Sequence, residues 1–255
     1  IIRVIPTVLK HIKRSPIRTT LTLSGVSISM FLFVMVESMQ NGVKEATEIT
    51  ANESTLVVYR ENRYCPFSSR LPQYYEQKIN DIDEVKHVVP IQIHVSNCGA
   101  SLDVVTFRGI PRDSIKDAIA QDSQIIGGTI DDWKYRGDAA IIGSSLAKRR
   151  GLSIGDKFSS AGIDVYVAAI QKTDLPQDKN IAIVQLPFLQ ENARKGGTGS
   201  TVTQFNVKVT DSNQLDKVAS KIDEIFANDE HPTSTFPEKA FVGRAARDIV
   251  ELAEV

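Results

Sequence analysis

The spacing of apolar and polar positions divides the chain into stretches of different period. Ile1, Ile2, Val4, Ile5, Val8, Leu9 and Ile12 fall near helical spacing, with Lys10, Lys13 and Arg14 between them. This predicts an amphipathic helix over 1–18, suited to a membrane surface, with Pro6 in its first turn. From Thr19 to Val36 the sequence TTLTLSGVSISMFLFVMV runs 18 residues without a charge, close to the minimum that crosses a bilayer core. With Met39 extending the run, a transmembrane helix is predicted over 19–39. A secretory signal peptide and a buried core helix compete with that reading. The long basic region and the lack of a small-x-small cleavage pattern before Glu37 argue against the first, and the polar flanks argue against the second.

Beyond the apolar run the periods shorten and alternate. Strands are predicted at Thr55–Arg60, Val88–Ser96, Asp103–Gly109, Ala139–Ile142, Ile163–Gln171, Ile181–Leu186 and Gln204–Thr210. Helices are predicted at Pro72–Asp81, Pro111–Ala120, Ser144–Arg150, Pro187–Arg194 and Asn213–Ala227, the third stopped by Gly151. Gly155 and Asp156 form a turn into Lys157–Ser160, and Lys195–Ser200 (KGGTGS) reads as a loop. The pattern is mixed α+β without a long internal repeat.

Charge then sharpens the division. The whole chain carries 30 basic and 31 acidic residues, a net of −1, so it has no overall basic field for nucleic acid. Residues 1–36 nevertheless hold Arg3, Lys10, Lys13, Arg14 and Arg18 and no acid, whereas Glu37, Glu45, Glu48 and Glu53 follow the apolar run. The positive-inside rule places the amino end in the cytoplasm and everything from about Asn41 outside it. Lys10, Lys13, Arg14 and Arg18 form a basic cluster for lipid headgroups or for coupling to a cytoplasmic partner. Within the span, Thr20, Ser24 and Ser27 share one side. Gly25 and Ser29 add the small-residue spacing that lets membrane helices approach closely.

The last stretch, from Glu238, places Phe241, Ala245, Ile249 and Leu252 at helical spacing and stops without a Gly or Pro. It reads as a helix that continues past Val255. Its natural partner is 37–50, the polar continuation of the first span, which contains Val43. Together they predict a two-helix stalk, from stalk helices 40–50 and 238–255.

Three segments carry a family resemblance. HIKRSPIRTTLTLSGVSISMFLF leads from a basic Arg-x-x-x-Arg patch through Leu-Thr-x-x-Gly-Val into the span. AAIIGSSLAKRRGLSIGDKF has a strand, a Gly, a short helix and a Gly-Asp turn. IAIVQLPFLQENA is followed by QFNVKV and a regular helix. The chain thereby resembles the MacB-like periplasmic core domain of ABC transporter permeases of the FtsX/LolC/MacB type. The resemblance implies a split subdomain (about 53–109 plus 179–237), an inserted one (about 110–178) and a periplasmic location on an inner-membrane anchor. It also implies further spans, dimerisation with a second copy or paralogue, a separate or fused ATPase, and in some members a periplasmic adaptor. The chain contains only the first of those spans.

Catalytic signatures are weak. His11, His87, His94 and His231 are scattered, and only His94 with Cys98 suggests half a zinc site. No G-x-S-x-G elbow occurs. Gly196-Gly197-Thr198-Gly199 and Gly151–Lys157 lack P-loop chemistry. Asp131, Asp132 and Trp133 read as a capped turn with a packed Trp, and Tyr74 and Tyr75 as a helix face. No cofactor is implied. Cys65 follows the first strand and Cys98 ends another, so in an oxidising compartment they are candidates for a disulfide. Two classes of function remain: a transporter permease acting on a lipophilic cargo, and a single-span sensor or ligand-binding protein.

Overall fold

A computed structural model describes residues 16–50, 54–62, 68–95, 104–119, 123–173, 178–193 and 200–238. The first compact unit ends at Ile49 and the second begins at Thr50. In the first, α1 runs unbroken over Pro16–Thr50, 35 residues, or about 52 Å at the helical rise. Its segment Pro16–Ser38 is long and apolar enough to cross a membrane, and no part of it is covered by protein. Hydroxyls do not interrupt the helix because they bond back to it. Thr20 Oγ1 donates to Pro16 O at 2.8 Å, Ser24 Oγ to Leu21 O at 3.0 Å and Ser29 Oγ to Gly25 O at 2.9 Å, which satisfies them without water. The apolar run and the polar residues that follow it lie within this one helix.

The second unit is built on one mixed sheet. Its elements in chain order are β1 (Thr55–Arg60), β2 (Leu71–Pro72), α2 (Tyr75–Asn80), β3 (Val85–Val95), β4 (Thr106–Ile110), α3 (Ile115–Ala118), β5 (Gln124–Gly128), α4 (Ile130–Tyr135) and β6 (Ala139–Gly143). They continue with α5 (Ser144–Arg150), β7 (Lys157–Ser160), β8 (Ile163–Lys172), β9 (Ile181–Gln185), α6 (Leu186–Asn192), β10 (Thr201–Val202), β11 (Gln204–Val209), α7 (Leu215–Phe226) and β12 (Thr233–Pro237). The sheet has ten strands, ordered β12-β1-β11-β3-β4-β9-β6-β8-β5, with β7 also paired to β8. β4 is parallel to β9 and β6 to β8; the other pairings in this sheet are antiparallel. The expected boundary at 109/110 lies within β4 and that at 178/179 just before β9; these two strands pair with each other, and β9 also pairs with β6.

Burial follows from where each strand sits. β6 (AAIIG) and β9 (IAIVQ) are buried at every residue, as central strands covered on both faces must be. One core lies between β1, β11, α2 and α7 and holds Leu56, Tyr75, Phe205, Ile222 and Phe226. A second, with Phe107, Ile142, Val184 and Leu189, and a third, with Ile110, Trp133, Ile141 and Ile183, lie on opposite faces of β4, β9 and β6. Each such side chain contributes about 1.5 to 3 kcal/mol by leaving water. β3 belongs to two of these cores, with Val88 in the first and Val89 and Ile91 in the third.

Local signals explain the helices. α7 turns Val218, Ala219, Ile222 and Phe226 inward. Gly151, at φ 64°, closes α5 in the left-handed conformation, as expected of a glycine stop. The segment expected as a helix over 111–120 is a 3-10 turn at Arg112–Ser114 followed by the short α3. α4 begins with Thr129 Oγ1 accepting from Asp132 N–H at 3.0 Å. It then buries Trp133 completely, so the expected capped turn extends into a helix. β5 and β12 were not expected. Their sequences, QIIGG and TSTFP, lack an apolar alternation and become strands by pairing at the two ends of the sheet.

Two outcomes follow from this packing. A Cβ added at Gly143 would stand 2.4 Å from Lys179 O and 2.6 Å from Asp178 O, whereas Gly137 has nothing within 4 Å. Gly143→Ala is expected to destabilise the domain by about 1 to 3 kcal/mol and Gly137→Ala to leave it nearly unchanged, as read by urea unfolding. Lys217 and Lys221 donate to Glu84 at 3.0 and 3.1 Å and hold its carboxyl down to about 2 from the ordinary 4.5. A carboxyl lowered in the folded state contributes stability above its unfolded pKa and loses it as pH falls through the folded value. Thermal unfolding of Glu84→Gln is expected to approach wild type between pH 4.5 and 2 and to lie below it at neutral pH.

Candidate functional site

In the described residues the features that suit function lie at two places, the uncovered helix α1 and the pair β1 and β12. Arg18 is exposed at the start of α1. Gly25 has open space where a Cβ would stand, and Ser29, with its hydroxyl turned onto Gly25 O, leaves the same side of the helix slim. Val43 lies within α1. Lys10, Lys13, Arg14, Cys65, Cys98, Phe241, Ala245, Ile249 and Leu252 lie outside the described residues, as do the amphipathic segment before Pro16 and the Gly196–Gly199 loop.

β1 and β12 are the first and last strands of the described residues. They run antiparallel with Leu56 opposite Pro237 and Arg60 opposite Thr233. Leu56 and Pro237 therefore lie side by side, one strand spacing of about 5 Å apart. This pair is fixed to the helix behind it by one carboxylate. Asp223 on α7 accepts from Thr233 Oγ1 at 2.8 Å, Thr235 N–H at 3.0 Å and Thr235 Oγ1 at 2.7 Å. Such charge-assisted bonds are about twice as strong as neutral ones. Tyr59 stacks on Phe236 across the pair with ring centres 6.0 Å apart. The sequence reading missed this clamp, because an Asp on an amphipathic helix looks solvated. The available signal is the Thr-x-Thr spacing, which puts two hydroxyls on one face of a strand.

At the other end of these strands, Tyr75 is fully buried and stacks on Phe226 at 4.0 Å, with Tyr74 edge-on to it at 5.0 Å. Burial pushes the Tyr75 phenol well above its usual range, and its bond to Asp229 holds that carboxyl below the ordinary value. Burial also raises Glu76, against the nearby His87. These shifts accompany packing: Tyr75 is core, in line with the helix-face reading, whereas Tyr74 precedes the helix and is exposed.

The candidates for chemistry do not converge. His87 and His94 lie on β3 and His231 precedes β12. Among the described residues no group of three or more His, Cys, Asp or Glu is placed to hold a metal. Thr129 caps α4 by accepting from Asp132 N–H, and Trp133 Nε1 donates to Ile183 O at 3.0 Å. Beside it Gln185 Nε2 donates to Trp133 O at 2.9 Å and Arg136 O at 3.2 Å, closing the end of α4 onto β9. Gly155 serves a turn, its N–H bonding Val167 O at 2.8 Å. Thr129, Trp133 and Gln185 thus serve the packing of the domain.

Comparison with known proteins agrees with that geometry. Residues 19–225 match the family model described as MacB-like periplasmic core domain. Among solved structures, the extracellular domain of the noncanonic ABC-type transporter YknZ from Gram-positive bacteria superposes with a TM-score of 0.53 at 16% identity, covering 71% of this chain and 99% of that one. The periplasmic region of MacB from Actinobacillus actinomycetemcomitans gives 0.54 at 10% identity, covering 76% and 94%. At such identities the likeness is one of fold. A search of curated proteins finds no match. With the family model spanning most of its length, the chain belongs to the MacB-like periplasmic core domain family, the extracytoplasmic domain of ABC-type transporter permeases.

Proposed function

We propose that this chain is the amino-terminal part of a permease that couples ATP hydrolysis by a partner ATPase to work outside the cytoplasm. The observation that carries this reading is the side-by-side start of the two connections at Leu56 and Pro237. A passive anchor needs one connection to the membrane, whereas a coupling element needs two that shift against each other. In this reading 40–50 and 238–255 form the two-helix stalk, with Val43 facing the stripe of Phe241, Ala245, Ile249 and Leu252. The anchor lies in the inner membrane with the amino end in the cytoplasm, because the basic cluster precedes the span and acids follow it.

The other partners follow from the same layout. Lys10, Lys13, Arg14 and Arg18 meet anionic lipid or the ATPase side. The slim face at Gly25 and Ser29 receives a second permease copy, a paralogue or another span. The domain guides a lipophilic cargo or holds a periplasmic adaptor, and a split and an inserted subdomain share that work. A Lys on a phosphate loop is missing from the Gly196–Gly199 segment, so the nucleotide chemistry belongs to the partner.

The test places cysteines at Val43 and Ile249 in the membrane-embedded transporter with its ATPase. Cross-linking is expected in high yield without nucleotide and is expected to change several-fold with a non-hydrolysable ATP analogue. Cross-linking unaffected by nucleotide would contradict coupling and favour a single-span binding protein. Its absence in every state would contradict the stalk.

A further inference from the structure

The sheet narrows at β3. Among the described residues Val85–Ile91 pair with β11 and Gln92–Val95 with β4, and none of them has a described partner strand on both sides. Where β11 gives out, a side chain replaces it. Thr203 Oγ1 accepts from Ile93 N–H at 2.9 Å and lies 3.4 Å from the Ile93 carbonyl, while Thr203 N–H donates to Ile91 O at 2.8 Å. At the changeover Gln92 Oε1 is buried without a hydrogen-bond partner, a costly state that calls for a reason. The apolar packing separates the same two sets of elements, with Val89 and Ile91 reaching into the third core from the β11-paired half of β3. One lobe holds β1, β2, β10, β11, β12, α2 and α7 around the first core, and the other holds β4 to β9 with the second and third.

α6 reaches into both lobes. Its Leu186 lies in the first core and its Leu189 in the second. Gln190 Nε2 donates to Gln73 Oε1 at 3.1 Å and to Thr201 O at 2.9 Å, both in the first lobe. Leu189 rests on Gly109, where a Cβ would stand 3.0 Å from the Leu189 Cβ.

We propose that β3 is a hinge and α6 its latch: the two lobes move as separate bodies about Ile91–Gln92, and Gln190 holds the closed arrangement. Bending a sheet through its paired middle breaks ladder bonds on both sides of a strand. At a changeover of partners the strand twists about its own axis with each half keeping its ladder. Gln92 keeps a free carbonyl oxygen at the point that rotates. Removing the two neutral hydrogen bonds of Gln190 shifts such an equilibrium by roughly tenfold. The proposal concerns the domain itself and does not depend on the coupling role.

The test uses the full chain in lipid nanodiscs, with ketone-bearing residues for spin labelling at Ser220 on α7 and Lys148 on α5, so that the cysteines are left alone. Both positions are exposed. Pulsed dipolar spectroscopy is expected to show one main distance and a minor second one. Gln190→Ala is expected to raise the minor population several-fold. Gln73→Glu with Gln190→Lys, which puts an ion pair in the latch, is expected to reduce it. A control pair at Lys148 and Lys157, both in the second lobe, is expected to keep one distance throughout. A single Ser220–Lys148 distance unchanged in wild type, Gln190→Ala and Thr203→Val would overturn the hinge. A parallel change in the control pair would also overturn it, by assigning the effect to unfolding of the lobe. No ATPase or nucleotide enters the measurement, so failure here leaves the transporter reading standing.

Discussion

The domain depends on β3 being shared. Its 11 residues pair first with β11 and then with β4, and its faces close two different cores. Take that strand away and the first core loses Val88 while the third loses Val89 and Ile91. The two halves of the sheet would then have no ladder in common. α6 is the complementary tie, because Leu186 and Leu189 sit in different cores. A structure joined in this way is continuous through one strand and one helix.

β12 and β1 are the first two strands of the sheet order and pair with each other. The three bonds that Asp223 accepts fix β12 to α7, and α7 packs Ile222 and Phe226 into the first core. The pair is therefore tied both to a packed helix and, through β11, to β3. α1 is suited to the opposite environment. Its large side chains are uncovered, and the hydroxyls of Thr20, Ser24 and Ser29 bond to its own backbone, so a hydrocarbon surround leaves those three with a partner.

Much of this was legible in the sequence, for physical reasons that differ by element. α5 is bracketed by Gly143 and Gly151, so its bounds are written locally. α7 declares itself by its apolar face, and β6 and β9 by unbroken apolar runs. β12 was not legible because TSTFP has no face to bury until β1 is beside it, and β5 because QIIGG is short and glycine-rich. The parallel pairing of β4 with β9 joins residues some 75 apart in the chain, and no local pattern encodes a contact of that range. The family resemblance was legible because its segments preserve backbone events: a span start, a strand and glycine turn, and a closing strand and helix. The Asp223 clamp and the Gln190 latch were not, because an Asp or Gln on a helix reads as solvated until the strand or loop that meets it is known.

The central claim is that a folded domain outside the cytoplasm hangs from a helix whose basic end lies inside. The most direct measurement inserts a reporter enzyme that is active only outside the cytoplasm at Gly162, an exposed turn between β7 and β8 with nothing within 4 Å of its missing Cβ. It is paired with a membrane-impermeant thiol reagent applied to intact cells carrying Lys13→Cys in a variant whose native cysteines are replaced by Ser. The expected result is an active reporter and no labelling at position 13 until the membrane is opened. An inactive reporter in a stably produced fusion, together with efficient labelling from outside, would contradict the claim.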